Sequence, residues 1–232
     1  MKILDTYRDK NAFRYGLKIS SPFEDEFRLI VAEGAEVIDV KPGAREVVES
    51  DLSKSRLLVV HVHEGAEFEY IETVSGEAGA KSDTHVFLMG EGARAKITAR
   101  YDLSGEAKLD ILHKVYHRAP RTSSEIETRG VLQDKAYAIY RSDIVMEKGM
   151  KRLSGAESGK FLALSKEAKV DAIPSLNIAS NAVSCSHSLS ITHITPEDLF
   201  YSKTRGIGED EARELLVSGF LNLPEGQLEG SL

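Results

Sequence analysis

Cys185 and His187 are the side chains of this sequence whose types and spacing could hold iron. Cys185 is the sole cysteine among 232 residues, two positions before the imidazole in Val183-Ser184-Cys185-Ser186-His187. The run alternates apolar and small polar residues, as a strand does, and on a strand residues two apart project from one face. A thiolate and an imidazole both ligate iron, so this spacing lets them converge on one ion. The same face carries Val183, Leu189 and Ile191, whereas Ser184, Ser186, Ser188, Ser190 and Thr192 occupy the other. A cysteine on an apolar face is ordinarily a small buried hydrophobe, so packing is the competing reading. One thiol per chain also falls short of the four ligands a cluster takes. A symmetric dimer would bring two of each to one seam.

His61-x-His63 followed by Glu67 is a second constellation. Two histidines on one strand face with a nearby carboxylate match the ligands of cupin-type metal enzymes, which are also all-β. Such a site expects a Pro-x-Gly ahead of a further histidine. His85 instead follows Ser82-Asp83-Thr84, and a solvated strand face is the competing reading. His113 and His117 flank Val115, with Arg118, Arg121 and Ser123-Ser124 following; a role in the fold suits them better than catalysis. No P-loop, Gly-x-Ser-x-Gly elbow or Rossmann fingerprint occurs, so ATP hydrolysis would have to reside in another chain. The chain reads as a non-enzyme, and besides the cupin-like enzyme a cofactor-free adaptor is an alternative.

The elements that must position these residues are nearly all strands. Ala93, Ala95, Ile97, Ala99, Tyr101 and Leu103 alternate with Arg94, Lys96, Thr98 and Arg100, a period of two too regular for helix. Leu58, Val60 and Val62 begin the pattern. Later strands are expected at Leu109 to His117, Ser124 to Leu132, Ala136 to Val145, Val170 to Ile178 and Val183 to His193. Corners punctuate them at Pro42-Gly43-Ala44, Glu64-Gly65-Ala66, Glu91-Gly92-Ala93 and Lys148-Gly149-Met150, with Lys166-Glu167-Ala168 as a glycine-free version. Steps of roughly 20 and roughly 27 residues between corners read as coils that bury their apolar face only by stacking. A β-helix and a β-sandwich both remain open on this pattern. After Ile194 the chain turns helical. Thr195 suits an N-cap, Pro196 the first helical position and Asp198 a capping box. A short helix over Leu199 to Thr204 and a longer one over Glu209 to Leu221 are expected, the latter placing Ala212, Leu215, Leu216 and Phe220 on one face. Before the strands, Phe27 to Val31, Glu36 to Val40 and Glu46 to Val48 read as short strands. The expected organisation is an N-terminal segment over 1–50, a core over 51–194, a helical segment over 195–223 and a tail over 224–232.

Several runs resemble the core of the SufB/SufD family, components of the Suf iron–sulfur cluster assembly machinery. They are Ala168-Lys169-Val170-Asp171-Ala172-Ile173-Pro174, Val183 to His187, Leu199-Phe200-Tyr201 with Arg205-Gly206-Ile207, and Glu209 to Phe220. His117 to Ser124, Gly130-Val131-Leu132 and Val145 to Gly149 extend the similarity upstream. The resemblance implies a right-handed parallel β-helix with a C-terminal helical appendage. It implies a scaffold that dimerises through its late strands, as a homodimer or a SufB/SufD-type heterodimer, and handles an iron–sulfur cluster transiently. It also implies docking of an ABC-type ATPase, SufC, on the C-terminal helices, with Leu199, Phe200, Arg205, Gly206, Ile207 and Phe220 as contacts or as residues shaping them. The histidine matching His187 in SufD-type members is implicated in assembly. SufB-type members carry a cysteine where this chain has Ala168, which makes it more SufD-like, and a short form.

Composition bounds the rest. Thirty-seven acidic against thirty basic residues give a net charge of -7, which argues against a nucleic-acid partner. No window approaches a membrane span, the first residues carry no secretory h-region, and a lone cysteine forms no intrachain disulfide. A cytoplasmic setting is expected, where thiols stay reduced.

Overall fold

Strands that leave one sheet, cross to a second and return make this chain a stack of coils. The structure is a computed structural model, and it describes residues 36–52, 56–77, 79–194 and 204–222. The strands are β1 (Glu36–Val40), β2 (Arg45–Ser50), β3 (Arg56–Val62), β4 (Glu67–Gly76), β5 (Ala80–Leu88) and β6 (Arg94–Leu103). They continue as β7 (Lys108–His117), β8 (Ser123–Leu132), β9 (Tyr137–Met146), β10 (Lys151–Ala163), β11 (Lys169–Ile178) and β12 (Ala182–His193). Odd-numbered strands form one six-stranded sheet in sequence order and even-numbered strands form the other. Every pairing joins a strand to the one two places on, in parallel. This is a parallel β-solenoid, as the resemblance implies; a sandwich would pair its strands antiparallel. A closed cupin-type barrel is likewise not what the strands build.

The corners stack as a ladder of their own. Gly43, Gly65, Gly92 and Gly149 adopt positive φ, and Arg121 takes the same slot at φ 58°. Four of these amides bind a carbonyl of the next coil: Gly43 to Glu64 at 2.8 Å, Gly65 to Glu91 at 2.9 Å, Gly92 to Pro120 at 3.2 Å and Arg121 to Lys151 at 3.0 Å. Glycine suits this slot because the left-handed region costs it nothing. The Arg121 side chain pairs with Glu91 of the neighbouring corner at 2.9 Å.

Inward-facing residues fill the lumen in two apolar clusters. One gathers Leu58, Val60, Phe68, Ile97, Ile126 and Ile144 near the glycine corners; the other gathers Val74, Tyr101, Leu109, Tyr140 and Phe161 toward the opposite edge. Between them runs a polar belt of buried Glu72, Ser82, Thr84, His113, Thr128, Ser142 and Glu157.

Leu199 and Phe200 lie outside the described residues, as do the expected strand over 27–31 and all but the end of the expected short helix. Helix α1 (Glu209–Asn222) lies on the outer face of the even-numbered sheet, against β8. Arg129, almost wholly buried, donates to the Phe220 carbonyl at 3.0 Å and to Glu127 at 3.0 Å. Ala212 is buried, but Leu215 and Leu216 are 56% and 37% exposed. The expectation of one apolar face is thus half right, because the helix rests on its Ala212 side and turns both leucines outward. No helix among the described residues is long and apolar enough to cross a membrane.

Candidate functional site

Cys185 and His187 occupy β12, the last strand of the even-numbered sheet, which among the described residues pairs only with β10. The register sets Gly155 beside Cys185, Glu157 beside His187, Gly159 beside Leu189 and Phe161 beside Ile191. Because Gly155, Glu157, Gly159 and Phe161 face inward, so do their partners. Thiol and imidazole therefore share the lumen face, as the spacing predicts. That lumen has no further coil above it among the described residues: Leu189 and Ile191, inward by pattern, are 36% and 44% exposed, and His187 is exposed.

Cys185 is partly buried, and its sulfur sits over Gly155 so closely that a methyl group there would lie 3.3 Å from it. Burial pushes the thiol pKa up, against a backbone hydrogen bond from Ser186. In the isolated chain it is a protonated, half-sheltered thiol. One such thiol and one imidazole do not make a cluster-holding set. Among the described residues, no three His, Cys, Asp or Glu side chains gather around a point.

Beneath His187 lies Glu157, whose Oε1 accepts from the Tyr140 hydroxyl at 2.9 Å. Burial raises its carboxyl above the ordinary value. The belt continues below to Glu72, which accepts from Tyr70 at 2.8 Å, Ser82 at 2.5 Å and Tyr101 at 2.5 Å, with His113 at 3.4 Å. Burial alone would raise the Glu72 carboxyl; His113, Ser82 and Tyr101 outweigh it and hold it below the usual range. Sequence reading missed Glu72 and Glu157, although a sign existed. In Phe68-x-Tyr70-x-Glu72-x-Val74 and Gly155-x-Glu157-x-Gly159-x-Phe161 a carboxylate stands on the inward beat of the alternation.

His61 and His63 lie on and just after β3, at the other end of the solenoid. The His61 Nδ1 bonds Asp39 at 2.9 Å, and the His63 Nε2 is 3.8 Å from the same oxygen. Glu67 is not with them: it faces Arg94 at 3.5 Å. His117 has a fold role. The Thr122 hydroxyl donates to the Ala119 carbonyl, so it accepts from His117 Nδ1 at 2.8 Å, leaving Nε2 to accept from Ser124 at 2.9 Å. That neutral ring, lowered by burial to a pKa of about 4, ties the corner between β7 and β8. Arg205, Gly206 and Ile207 precede α1, the first two exposed and Ile207 partly so; Phe220, half-buried, is held near β8 through its carbonyl.

Residues 27–220 match the family model described as SUF system FeS cluster assembly, SufBD core domain. The chain is 29% identical over 161 residues to an iron–sulfur cluster assembly SufBD family protein of Staphylococcus saprophyticus, covering 69% of this chain and 34% of that one. Proteins of the same description from Staphylococcus haemolyticus and Staphylococcus aureus match with the same identity and coverage. The matched stretch thus spans about a third of the length of these relatives.

Proposed function

This chain belongs to the SufBD core family of iron–sulfur cluster assembly proteins, and from that premise we propose that its last coil is the joint at which a cluster is assembled between two subunits. The observation that carries the reading is the open lumen at β11 and β12. Leu189, Ile191 and Ile178 expose apolar surface that lower coils bury, and among the described residues both sheets end in strands with no further partner, β11 and β12. Such ends call for a cover. A second subunit presenting the corresponding coil covers both edges at once. Two copies supply two thiols and two imidazoles, the four ligands that one chain lacks. The cluster is cargo, built there and passed on.

The chain serves as scaffold, and nucleotide hydrolysis belongs to an ABC-type ATPase partner. Its seat is the region around α1, where Leu215 and Leu216 stand outward and Arg205, Gly206 and Ile207 lead into the helix. Phe220 shapes that seat through Arg129; Leu199 and Phe200 are carried as contacts on the strength of the resemblance. Closure of two ATPase subunits then strains the joint and opens Cys185 and His187 to iron and sulfide. Affinity purification of the full chain from its own cells tests the docking. Recovery of an ABC-type ATPase, lost with Leu215→Asp/Leu216→Asp but kept with Glu64→Gln, supports it. Absence of any such ATPase from the wild-type complex removes it.

A further inference from the structure

Glu157 is 4% exposed, faces the lumen, and accepts from the Tyr140 hydroxyl at Oε1, with the Ser142 hydroxyl also acting on its carboxylate. Its Oε2 has no partner among the described residues. A buried carboxylate oxygen left without a donor is destabilising, so a native site ordinarily supplies one. The register supplies one candidate on the next coil. His187 is directly paired with Glu157 on the same face, about 4.8 Å away by strand spacing. The residues flanking Glu157 on its inward face are glycines, so neighbouring side chains close in around it. A methyl group on Gly159 would come within 3.3 Å of Glu157 Oε1 and 3.0 Å of Leu189, and Gly155 is equally confined by Met146. The Tyr140 hydroxyl, reaching across from β9 of the opposite sheet, holds Oε1 and leaves Oε2 as the oxygen without a bonded donor.

We propose that Glu157 is the positioning residue of His187: Oε2 accepts the N–H of one imidazole nitrogen and thereby fixes the lone pair of the other toward the open end of the solenoid. A histidine that ligates a metal commonly donates its remaining N–H to a carboxylate, which sets tautomer and ring orientation. The exposed imidazole of β12 would otherwise rotate and exchange tautomers freely. Its readiness to take iron thus depends on a buried residue one coil below, a dependence that rests on the proposed role of His187 in assembly.

Long-range proton–nitrogen correlation on the full chain labelled with ¹⁵N-histidine tests this, with His187 identified by the signal missing from His187→Ala. At about pH 8 an ordinary imidazole is neutral. Wild type should show His187 in one tautomer; an even mixture overturns the proposal without recourse to any variant. Glu157→Met, which removes the acceptor at similar volume, should release the second tautomer, and Glu157→Gln, which keeps an acceptor oxygen, should restore the preference. An unchanged His187 signal in folded Glu157→Met overturns the proposal. ATP-dependent cluster assembly should fall about 10- to 100-fold in Glu157→Met. A shifted tautomer with undiminished assembly keeps the positioning role and refutes the assembly role of His187 instead.

Discussion

Replacing Glu72 with glutamine should destabilise the solenoid, and the size of the effect follows from its partners. Three hydroxyls, from Tyr70, Ser82 and Tyr101, donate to the carboxylate within 2.5–2.8 Å, and His113 stands at 3.4 Å. Hydrogen bonds to a charged acceptor contribute about 1.5–3 kcal/mol, and neutral ones about 0.5–1.5 kcal/mol. Losing the charge across three bonds therefore costs about 3 kcal/mol, less what is regained by no longer burying an anion. The sign is decided by the depressed carboxyl: the partners outweigh burial, so the net change is a loss. We expect about 2–3 kcal/mol, or about 5–10 °C in Tm for a chain of this size. The gap should also close in acid. A carboxyl held below its unfolded value stabilises the fold above that value and loses the contribution as pH falls through the folded one. Thermal melts of wild type and Glu72→Gln between pH 7 and acid check both points. An unchanged or raised Tm at pH 7 would refute the claim that the belt is held together by this anion.

Other outcomes are expected from the same coordinates. Gly90→Ala would set a methyl group 2.0 Å from the Glu64 backbone nitrogen, so it should cost more than about 3 kcal/mol; Gly43→Ala, with open space but positive φ, should cost only about 1–2 kcal/mol by chemical denaturation. His117 and His85, lowered by burial to about 4 and about 3, stay neutral in the fold while the unfolded chain takes up protons below about pH 6.5. Stability should therefore fall as pH drops from about 6.5, by up to about 2.7 kcal/mol per pH unit for the two together, and a flat profile from pH 7 to 5 would contradict it. Cys185, its pKa raised by burial, should alkylate several-fold more slowly at about pH 8 than a free cysteine peptide and catch up in denaturant; faster reaction would mean an activated thiolate.

Much of the fold was legible because its signals are local. The two-residue beat of β6 and the glycine corners at Gly43, Gly65, Gly92 and Gly149 point to stacked coils without knowledge of any partner strand. Arg121 and Asp134 hold the same corner conformation without glycine, so those corners went unseen. β10 was missed for a different reason. Its inward positions are Gly155, Glu157 and Gly159, because the space there is filled by Met146, Tyr140 and Leu189 reaching in from neighbouring strands. That filling is tertiary and leaves no apolar beat in the strand itself. The choice between solenoid and sandwich is non-local in the same way, since both alternate. At the site, the shared face of Cys185 and His187 could be read from spacing alone. The pairing of His187 with Glu157 could not, because Glu157 lies thirty residues upstream and meets it only through the register of β10 and β12.

The role assigned to the open last coil is tested most directly by following cluster formation on the purified chain with its ATPase partner, given ferrous iron, a sulfide source and ATP. Wild type should build a cluster in an ATP-dependent manner, measured as bound iron and acid-labile sulfide, while the folded Cys185→Ser/His187→Ala variant should build none. Equal iron and sulfide on the two proteins would contradict the account.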